Sequence, residues 1–247
     1  MRVLLTLEYD GTDYVGWQWQ GNGLSVQQVL EQALSRVLGG ETRVVGASRT
    51  DAGVHALGQR AHFDTHGSIP VHKYPLALNA LLPPDVRVIH AQQVADDFHA
   101  RFDARGKEYT YRICNRRHAG ALTARYSAHV PVPLDDMRMQ QAANLLVGKH
   151  DFRAFSASGG SAKTFVRELN EVTVQRTGDE LSIRVRGTAF LYNMVRIIAG
   201  TLIDIGKGKL DIDAITRALA TGDRLCLGPT APAHGLELTR VFYEGGL

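Results

Sequence analysis

The chain has 247 residues, of which 44% are hydrophobic and 21% charged, so it can bury a sizeable core and is not a disordered segment. Its net charge of +3 does not by itself establish a nucleic-acid partner. Two distant cysteines, Cys114 and Cys226, argue against a disulfide framework and a structural zinc site, and they favour a reducing compartment, the cytoplasm. The longest apolar stretch, 191–205, contains Arg196 and Asp204 and is too polar to span a membrane.

The first hundred residues predict alternating strands and helices. Apolar periods of two and 3.6 residues indicate, in chain order, a strand, a helix, two strands, a helix and a strand at 2–9, 25–38, 43–47, 59–64, 71–82 and 86–94. Ser25 is a suitable N-cap and Gly39 a suitable stop for the first helix. The order β-α-β-β-α-β is that of a split βαβ unit with an antiparallel sheet.

A similar order follows less regularly from about residue 101. We expect a strand, a helix, a hairpin, two helices and a final strand at 107–115, 133–147, 168–188, 190–205, 212–220 and 236–243. The sequence therefore predicts an α+β protein of two fused split-βαβ units of the ferredoxin or RRM type, residues 1–100 and 101–247.

Cations are concentrated at the start of the second unit. The chain has 28 basic residues, mostly arginine, the cation that suits phosphates best. Residues 101–125 carry a large share of them, interleaved with tyrosines at 109, 111 and 126. This pattern favours a phosphate backbone with bases stacked alongside, that is, RNA or DNA. An ordinary solvated strand face is the alternative.

The segment 46–59 lies between two predicted strands and is longer than a simple turn needs. It combines glycines with Arg49, Asp51 and His55, and loops held by a sheet are where catalytic groups concentrate. Asp51 is therefore a candidate catalytic carboxylate. An aspartate that merely caps a turn or a helix is the alternative interpretation.

Arg196 lies in the apolar segment 190–205, where a largely buried guanidinium needs a carboxylate partner. Residues three and four positions away on the helix are small or polar, which leaves a lane where another backbone can approach: Tyr192, Asn193, Ala199 and Gly200. In the alternative interpretation the side chain extends out of the core to a local acid such as Asp204.

Other chemical signals are weak. Trp17 and Trp19 are candidates for base stacking, although a core position is at least as common for a tryptophan at a strand end. The ten histidines show no metal-ligand spacing, and the chain has no dinucleotide or P-loop motif. We therefore expect no metal and no cofactor.

Residues 48–56 resemble the catalytic loop of the tRNA pseudouridine synthase A family. Further blocks resemble the same family in the same order, at 9–12, 16–18, 25–27, 79–85, 98–102, 109–111, 190–200 and 230–236. The resemblance implies the pseudouridine synthase fold with a catalytic cleft between the units. It also implies a homodimer that isomerises uridines 38, 39 and 40 in the anticodon arm of tRNA.

By this resemblance Asp51 is the catalytic aspartate, Tyr109 stacks on the target base and takes its C5 proton, and Arg196 pairs with Asp51. The same resemblance implies further substrate-binding residues: Gln18, Arg49, Thr50, Gly53, His55, Arg101, Arg105 and Lys107. Two positions depart from the usual family pattern, Arg60 in place of an aliphatic residue and Phe165 in place of a proline.

Pseudouridine formation breaks the N1–C1′ bond of uridine, turns the detached uracil and joins C5 to C1′. A carboxylate can attack C1′ or remove the C2′ proton, and both routes require it to be ionised, a form that a neighbouring guanidinium favours. Two other functional classes compete with this one. A purely RNA-binding module has little use for a carboxylate that faces phosphates. A nucleoside or glycoside hydrolase shares the chemistry at C1′ but normally needs two carboxylates, where only Asp51 is supported.

Overall fold

The computed structural model describes residues 1–246 and has the predicted α+β fold. The chain divides into two compact units, one formed by Met1–Arg105 together with the segment from Glu237 onward, the other by Gly106–Leu236. The expected division at residue 100 placed the final strand in the second unit. In the structure this strand pairs in parallel with a strand of the first unit, with Glu237 opposite His55.

The first unit follows the predicted order β-α-β-β-α-β. Its elements are β1 (Arg2–Tyr9), α1 (Val26–Leu38), β2 (Val45–Gly46), β3 (His55–Asp64), α2 (Tyr74–Asn79), β4 (Val86–Val94) and the late strand β10 (Leu236–Phe242). A 3₁₀ turn, Val71–Lys73, occupies the first part of the predicted second helix. The strands lie in the order β4-β1-β3-β10, with β1 antiparallel to β3 and β4 and the short β2 on β3.

Helix α1 has the predicted ends. The Oγ of Ser25 accepts the N–H of Gln28 at 3.2 Å and so caps the helix. Gly39 ends it at φ 73°, a left-handed conformation that glycine adopts without strain, and its N–H donates to the carbonyl of Ser35 at 3.0 Å.

The core of the first unit lies on one face of its sheet. Val3 and Leu5 of β1 are fully buried there beside Phe63 of β3, whose ring meets the ring of Tyr74 on α2 edge-on at 5.3 Å. Burial of side chains of this size stabilises the unit by about 1.5–3 kcal/mol each. The opposite face carries polar residues of β3, including Arg60 and His62.

The second unit has its own antiparallel sheet. Its elements are β5 (Gly106–Cys114), β6 (Ala128–His129), α3 (Asp136–Asn144), β7 (Gly148–Asp151), β8 (Val166–Thr177), β9 (Glu180–Gly187), α4 (Met194–Gly206) and α5 (Asp213–Thr221). The strand order is β5-β9-β8-β7, and β6 pairs in parallel with β5. The predicted hairpin is present as β8 and β9, with Gly178 at φ 59° in the turn.

Helix α4 begins later than predicted, at Met194 instead of residue 190. Asn193 has φ 59°, a left-handed conformation that asparagine tolerates better than most residues, and it separates the preceding segment from the helix. The carbonyl of Tyr192 accepts the N–H of Ala157 at 3.1 Å, and the ring of Phe190 packs against Tyr109. These tertiary contacts outweigh the helical period of the apolar run.

Candidate active site

The loop that carries Asp51 is fixed to the segment before α1. Asp51 is half-buried between β2 and β3 and forms an antiparallel bridge with Gly16. The N–H of Trp17 donates to the carbonyl of Thr50 at 3.0 Å, and the N–H of Val54 donates to the carbonyl of Asp51 at 3.1 Å. The backbone on both sides of Asp51 is thus hydrogen-bonded, which fixes the point from which its side chain projects.

Buried side chains hold the start of the same loop. Gln59 is 0% exposed, and its amide accepts the N–H of Ser48 at 3.2 Å and donates to the carbonyl of Ser48 at 2.7 Å. The hydroxyls of Tyr9 and Thr50 are hydrogen-bonded at 2.8 Å, and Gln59 Nε2 lies 3.5 Å from the Tyr9 oxygen. A continuous polar network therefore connects the sheet to the residue that precedes Asp51.

Glycines allow the close approach that this loop requires. A Cβ on Gly16, which has φ +108°, would lie 2.5 Å from the carbonyl oxygen of Thr50, and a Cβ on Gly11 would overlap the carbonyl of Val54. Gly53, a predicted substrate-binding residue, has φ +75°. Glycine at these positions follows from backbone geometry.

His55 is buried at the first position of β3. Its Nδ1 lies 3.0 Å from the backbone nitrogen of Gly11 and 3.1 Å from Oδ1 of Asp10. The imidazole thus ties the end of the loop to the end of β1. Its role in substrate binding stays a prediction.

The two tryptophans lie in different environments. Trp17 is 3% exposed and its ring stacks on Tyr9 with centroids 6.1 Å apart, so the core interpretation is correct for this residue. Trp19 is 53% exposed. Gln18 and Arg49, both predicted to bind substrate, are also exposed. Gln18 is two residues after Gly16, which bridges to Asp51, and Arg49 is two residues before Asp51 on the same loop.

Tyr109 lies on β5 of the second unit. Its side chain is 6% exposed, and its ring meets Phe190 edge-on at 5.0 Å. This contact joins the strand of Tyr109 to the segment that leads into α4. Lys107, two residues earlier on the same strand, is half-buried.

Arg196 is in the first turn of α4 and is half-buried. Its Nε donates to the carbonyl of Ala231 and its Nη1 to Oδ1 of Asn193, both at 2.8 Å. The N–H of Ala231 in return donates to the backbone carbonyl of Arg196 at 3.1 Å. A Cβ on Gly200 would overlap the carbonyl of Pro229. The predicted lane beside Arg196 is therefore confirmed, and the chain around residue 230 fills it.

The basic stretch 101–125 does not form one face lined with tyrosines. Side chains alternate along a strand, so Arg112 points away from Tyr109 and Tyr111. Tyr111 is fully buried and donates to the carbonyl of Pro232 at 2.9 Å, and burial raises its pKa. Three of the arginines are in ion pairs within their own units, Arg105–Glu244 and Arg112–Glu180 at 2.8 Å and Arg116–Asp179 at 3.8 Å.

The predicted site residues are divided between the two units. The first unit contains Gln18, Arg49, Thr50, Asp51, Gly53, His55, Arg101 and Arg105, and the second contains Lys107, Tyr109 and Arg196. Within residues 1–246 no group of three or more His, Cys, Asp or Glu side chains is arranged to hold a metal ion. In the same range, no helix is long and apolar enough to cross a membrane.

Sequence reasoning missed the residues that support the site. Gln59 and Tyr9 hold the Asp51 loop, and Phe190 packs on Tyr109. One signal was available in the sequence. Gln59 is two residues before Ala61 and four before Phe63, so it shares the apolar face of β3 with them, and a polar side chain on such a face needs a specific partner.

Comparison with known proteins gives a consistent result. Residues 6–103 and 142–244 match the model of a family described as tRNA pseudouridine synthase. The chain is 50% identical to tRNA pseudouridine synthase A of Myxococcus xanthus, over 99% of this chain and 93% of that protein. It is 49% identical to tRNA pseudouridine synthase A of Ruminiclostridium cellulolyticum, over 98% and 99%. A chain in the crystal structure of a Cbf5-Nop10-Gar1 complex aligns with TM-score 0.40 and 15% identity, over 97% of this chain and half of that one.

Proposed function

Because this chain belongs to the tRNA pseudouridine synthase family, an isomerase family that converts uridine to pseudouridine in tRNA, we propose that it modifies uridines 38, 39 and 40 of the anticodon stem-loop with Asp51 as its catalytic carboxylate. The supporting observation is the Asp51 loop, whose backbone is bridged to Gly16 and whose start is clamped by Gln59. A carboxylate on a rigid, half-buried loop is pre-organised for work at a ribose carbon.

In the proposed reaction the N1–C1′ bond breaks while ionised Asp51 acts at the ribose. The free uracil turns and its C5 joins C1′, after which the C5 proton passes to a base and N1 gains a proton. The sum is an isomerisation that consumes no water and needs no redox partner or metal. The target uridine must leave its stack before these atoms are accessible.

We assign the base-stacking and proton-accepting role to Tyr109 and the role of cationic partner of Asp51 to Arg196. The buried ring of Tyr109 is fixed by Phe190, and two donors of Arg196 are held by Ala231 and Asn193. Both side chains are thus orientated by their own unit, as a pre-organised site requires.

The remaining predicted contacts complete the proposal. Exposed Gln18, Arg49, Arg101 and Arg105 are suited to contact RNA. We propose Thr50, Gly53, His55 and Lys107 as the further substrate-binding residues. We propose that the enzyme acts in the cytoplasm as a homodimer. The net charge of +3 on one chain is small for a protein that holds a folded RNA, and a second copy doubles the basic surface.

Tritium release from tRNA labelled at C5 of uridine tests the catalytic assignment. We expect Asp51→Asn to abolish release while tRNA binding persists, and Asp97→Asn, at an exposed carboxylate of the same unit, to retain full activity. Normal turnover by Asp51→Asn would remove this residue from the mechanism. Release of free uracil would instead identify a hydrolase.

Mapping of pseudouridines in the treated tRNA tests the proposed positions. We expect modification at 38, 39 and 40, and pseudouridines confined to other positions would refute the anticodon-arm assignment. Binding should also weaken steeply as salt is raised, because phosphate contacts release counterions.

A further inference from the structure

A tight turn after β4 presents an aromatic ring to solvent. The turn is closed in both directions, since the N–H of His99 donates to Oδ2 of Asp103 at 2.7 Å and the N–H of Asp103 donates to the carbonyl of His99 at 3.0 Å. Nδ1 of His99 accepts the N–H groups of Arg101 and Phe102, each at 3.2 Å. These bonds fix the position from which the Phe102 side chain projects.

The Phe102 ring is 74% exposed, yet it is held in place. One face stacks on the imidazole of His99, with ring centroids 4.2 Å apart and planes 30° from parallel. His99 in turn lies edge-on to His62 at 5.1 Å, and His62 Nδ1 accepts the N–H of Ala100 at 3.1 Å. Most of the Phe102 side chain is therefore open to solvent, on a support that reaches down to the sheet.

The turn is also fastened from the C-terminal side of the unit. The hydroxyl of Tyr243 donates to the carbonyl of Ala100 at 2.6 Å, and burial raises the pKa of that hydroxyl, so it remains a donor. The turn thus has anchors on β3 and on the segment after β10. A mobile surface loop would not need two buried polar anchors.

A cation lies over the exposed ring. The guanidinium carbon of Arg101 is 5.9 Å from the centroid of the Phe102 ring. Arg101 is exposed, and within residues 1–246 its side chain forms no ion pair. An exposed aromatic face next to a cation with no acidic partner has the chemistry of a single-stranded nucleic-acid contact, where the base stacks and the phosphate binds the charge.

We propose that Phe102, backed by His99, is a stacking platform for one unpaired base of the tRNA substrate, and that Arg101 binds the phosphate next to that base. The proposal rests on tRNA as the substrate of this family and adds a base contact outside the Asp51 loop. The platform contacts the π-face of a base, which every base has. It therefore adds affinity for RNA but does not determine which uridine is modified.

The test measures binding of labelled tRNA in an Asp51→Asn background, so that the result does not depend on turnover. Phe102→Ala should weaken binding roughly 5- to 150-fold, the range expected for loss of one base–aromatic stack. Phe102→Trp should restore affinity, and its indole fluorescence should be quenched when tRNA binds. The control is Leu76→Ala, which removes an apolar side chain of similar exposure, 77%, from the same unit and should leave affinity unchanged.

Arg101→Gln tests the phosphate contact separately. The slope of log affinity against log salt should become less steep by about one, which is the signature of one lost phosphate contact. Wild-type affinity in Phe102→Ala, or no quenching in Phe102→Trp, would overturn the proposal. A Phe102→Ala protein that lost self-association and kept its RNA affinity would also overturn it, because the ring would then serve a protein interface.

Discussion

The side-chain amide of Gln59 binds the backbone of Ser48 as a neighbouring strand would, accepting its N–H at 3.2 Å and donating to its carbonyl at 2.7 Å. Ser48 lies three residues before Asp51, and both Gln59 and Ser48 are buried. One side chain on β3 therefore replaces the two backbone hydrogen bonds that a paired strand would supply. The backbone between β2 and the Asp51 loop is held in place where, within residues 1–246, no strand pairs with it.

Gln59→Leu tests this clamp. Leucine fills a similar volume but removes both hydrogen bonds to the buried backbone of Ser48, at about 1–3 kcal/mol for each bond lost. We expect kcat for pseudouridine formation to fall about 10- to 100-fold, because a small displacement of a catalytic group is enough for such a loss. The affinity for tRNA should change much less, which separates loop position from RNA binding.

Gln93→Leu is the matched control, since Gln93 is exposed on β4. It should have the kcat and the thermal midpoint of the wild type. Equal losses of kcat and tRNA affinity in Gln59→Leu would show general damage to the unit instead of a displaced loop.

Arg196→Lys tests the geometry of the guanidinium. Lysine keeps the charge but loses the fork that reaches both the carbonyl of Ala231 and Oδ1 of Asn193. We expect the free energy of unfolding to drop by about 1–3 kcal/mol and activity to drop further than the unfolded fraction explains. Arg217→Lys, at an exposed arginine paired with Asp211, should be neutral in both measurements.

Gly200→Ala tests the packing of the chain around residue 230 on α4. The new methyl group would overlap the carbonyl of Pro229, so that segment must shift, at a cost of about 1–3 kcal/mol by urea denaturation. Gly40→Ala is the control, because a Cβ there meets nothing within 4 Å. A Gly200→Ala protein as stable as Gly40→Ala would contradict the close packing seen beside Arg196.

His62→Asn tests a pH dependence built into the first unit. Burial, with smaller effects of Arg2 and His99, lowers the pKa of His62 to about 4 from an ordinary value near 6.5. Between these values the unfolded chain binds a proton that the folded protein does not. The wild type should therefore lose on the order of 2 kcal/mol of stability as pH falls from 6.5 towards 4, and nothing from this group above pH 6.5.

The substitution keeps an acceptor for the Ala100 N–H and removes the titration. Urea midpoints measured from pH 4.5 to 7.5 should then show a shallower acid decline in His62→Asn than in the wild type. Parallel curves would mean that the imidazole is protonated in the folded protein without cost.

Local chemistry made much of the first unit predictable. The ends of α1 follow from Ser25 and Gly39. Strands β1 and β4 have the predicted bounds, and apolar residues recur at every second position over part of each, as in Val3, Leu5 and Leu7 of β1. The Asp51 loop was identifiable because its glycines and charged residues exceed what a turn needs. Each of these signals resides within a few consecutive residues.

The features that sequence did not predict depend on distant partners. β6 has two residues and β7 four, too short for any period to identify. The start of α4 is set by a left-handed Asn193 and by contacts with residues 109 and 157. The clamp on Ser48 required knowledge that β3 runs beside the loop, which no local pattern contains.

The pairing of β10 with β3 has a consequence for synthesis on the ribosome. Glu237 and Leu238 lie opposite His55 and Ala56, the first two residues of the strand that follows the Asp51 loop. The first unit is translated first, but its last strand, β10, is made only after the entire second unit. Until β10 has been made, the His55–Ala56 end of β3 is paired on the β1 side alone, and the strand that follows the Asp51 loop gains its second neighbour there only after residue 238 has been translated.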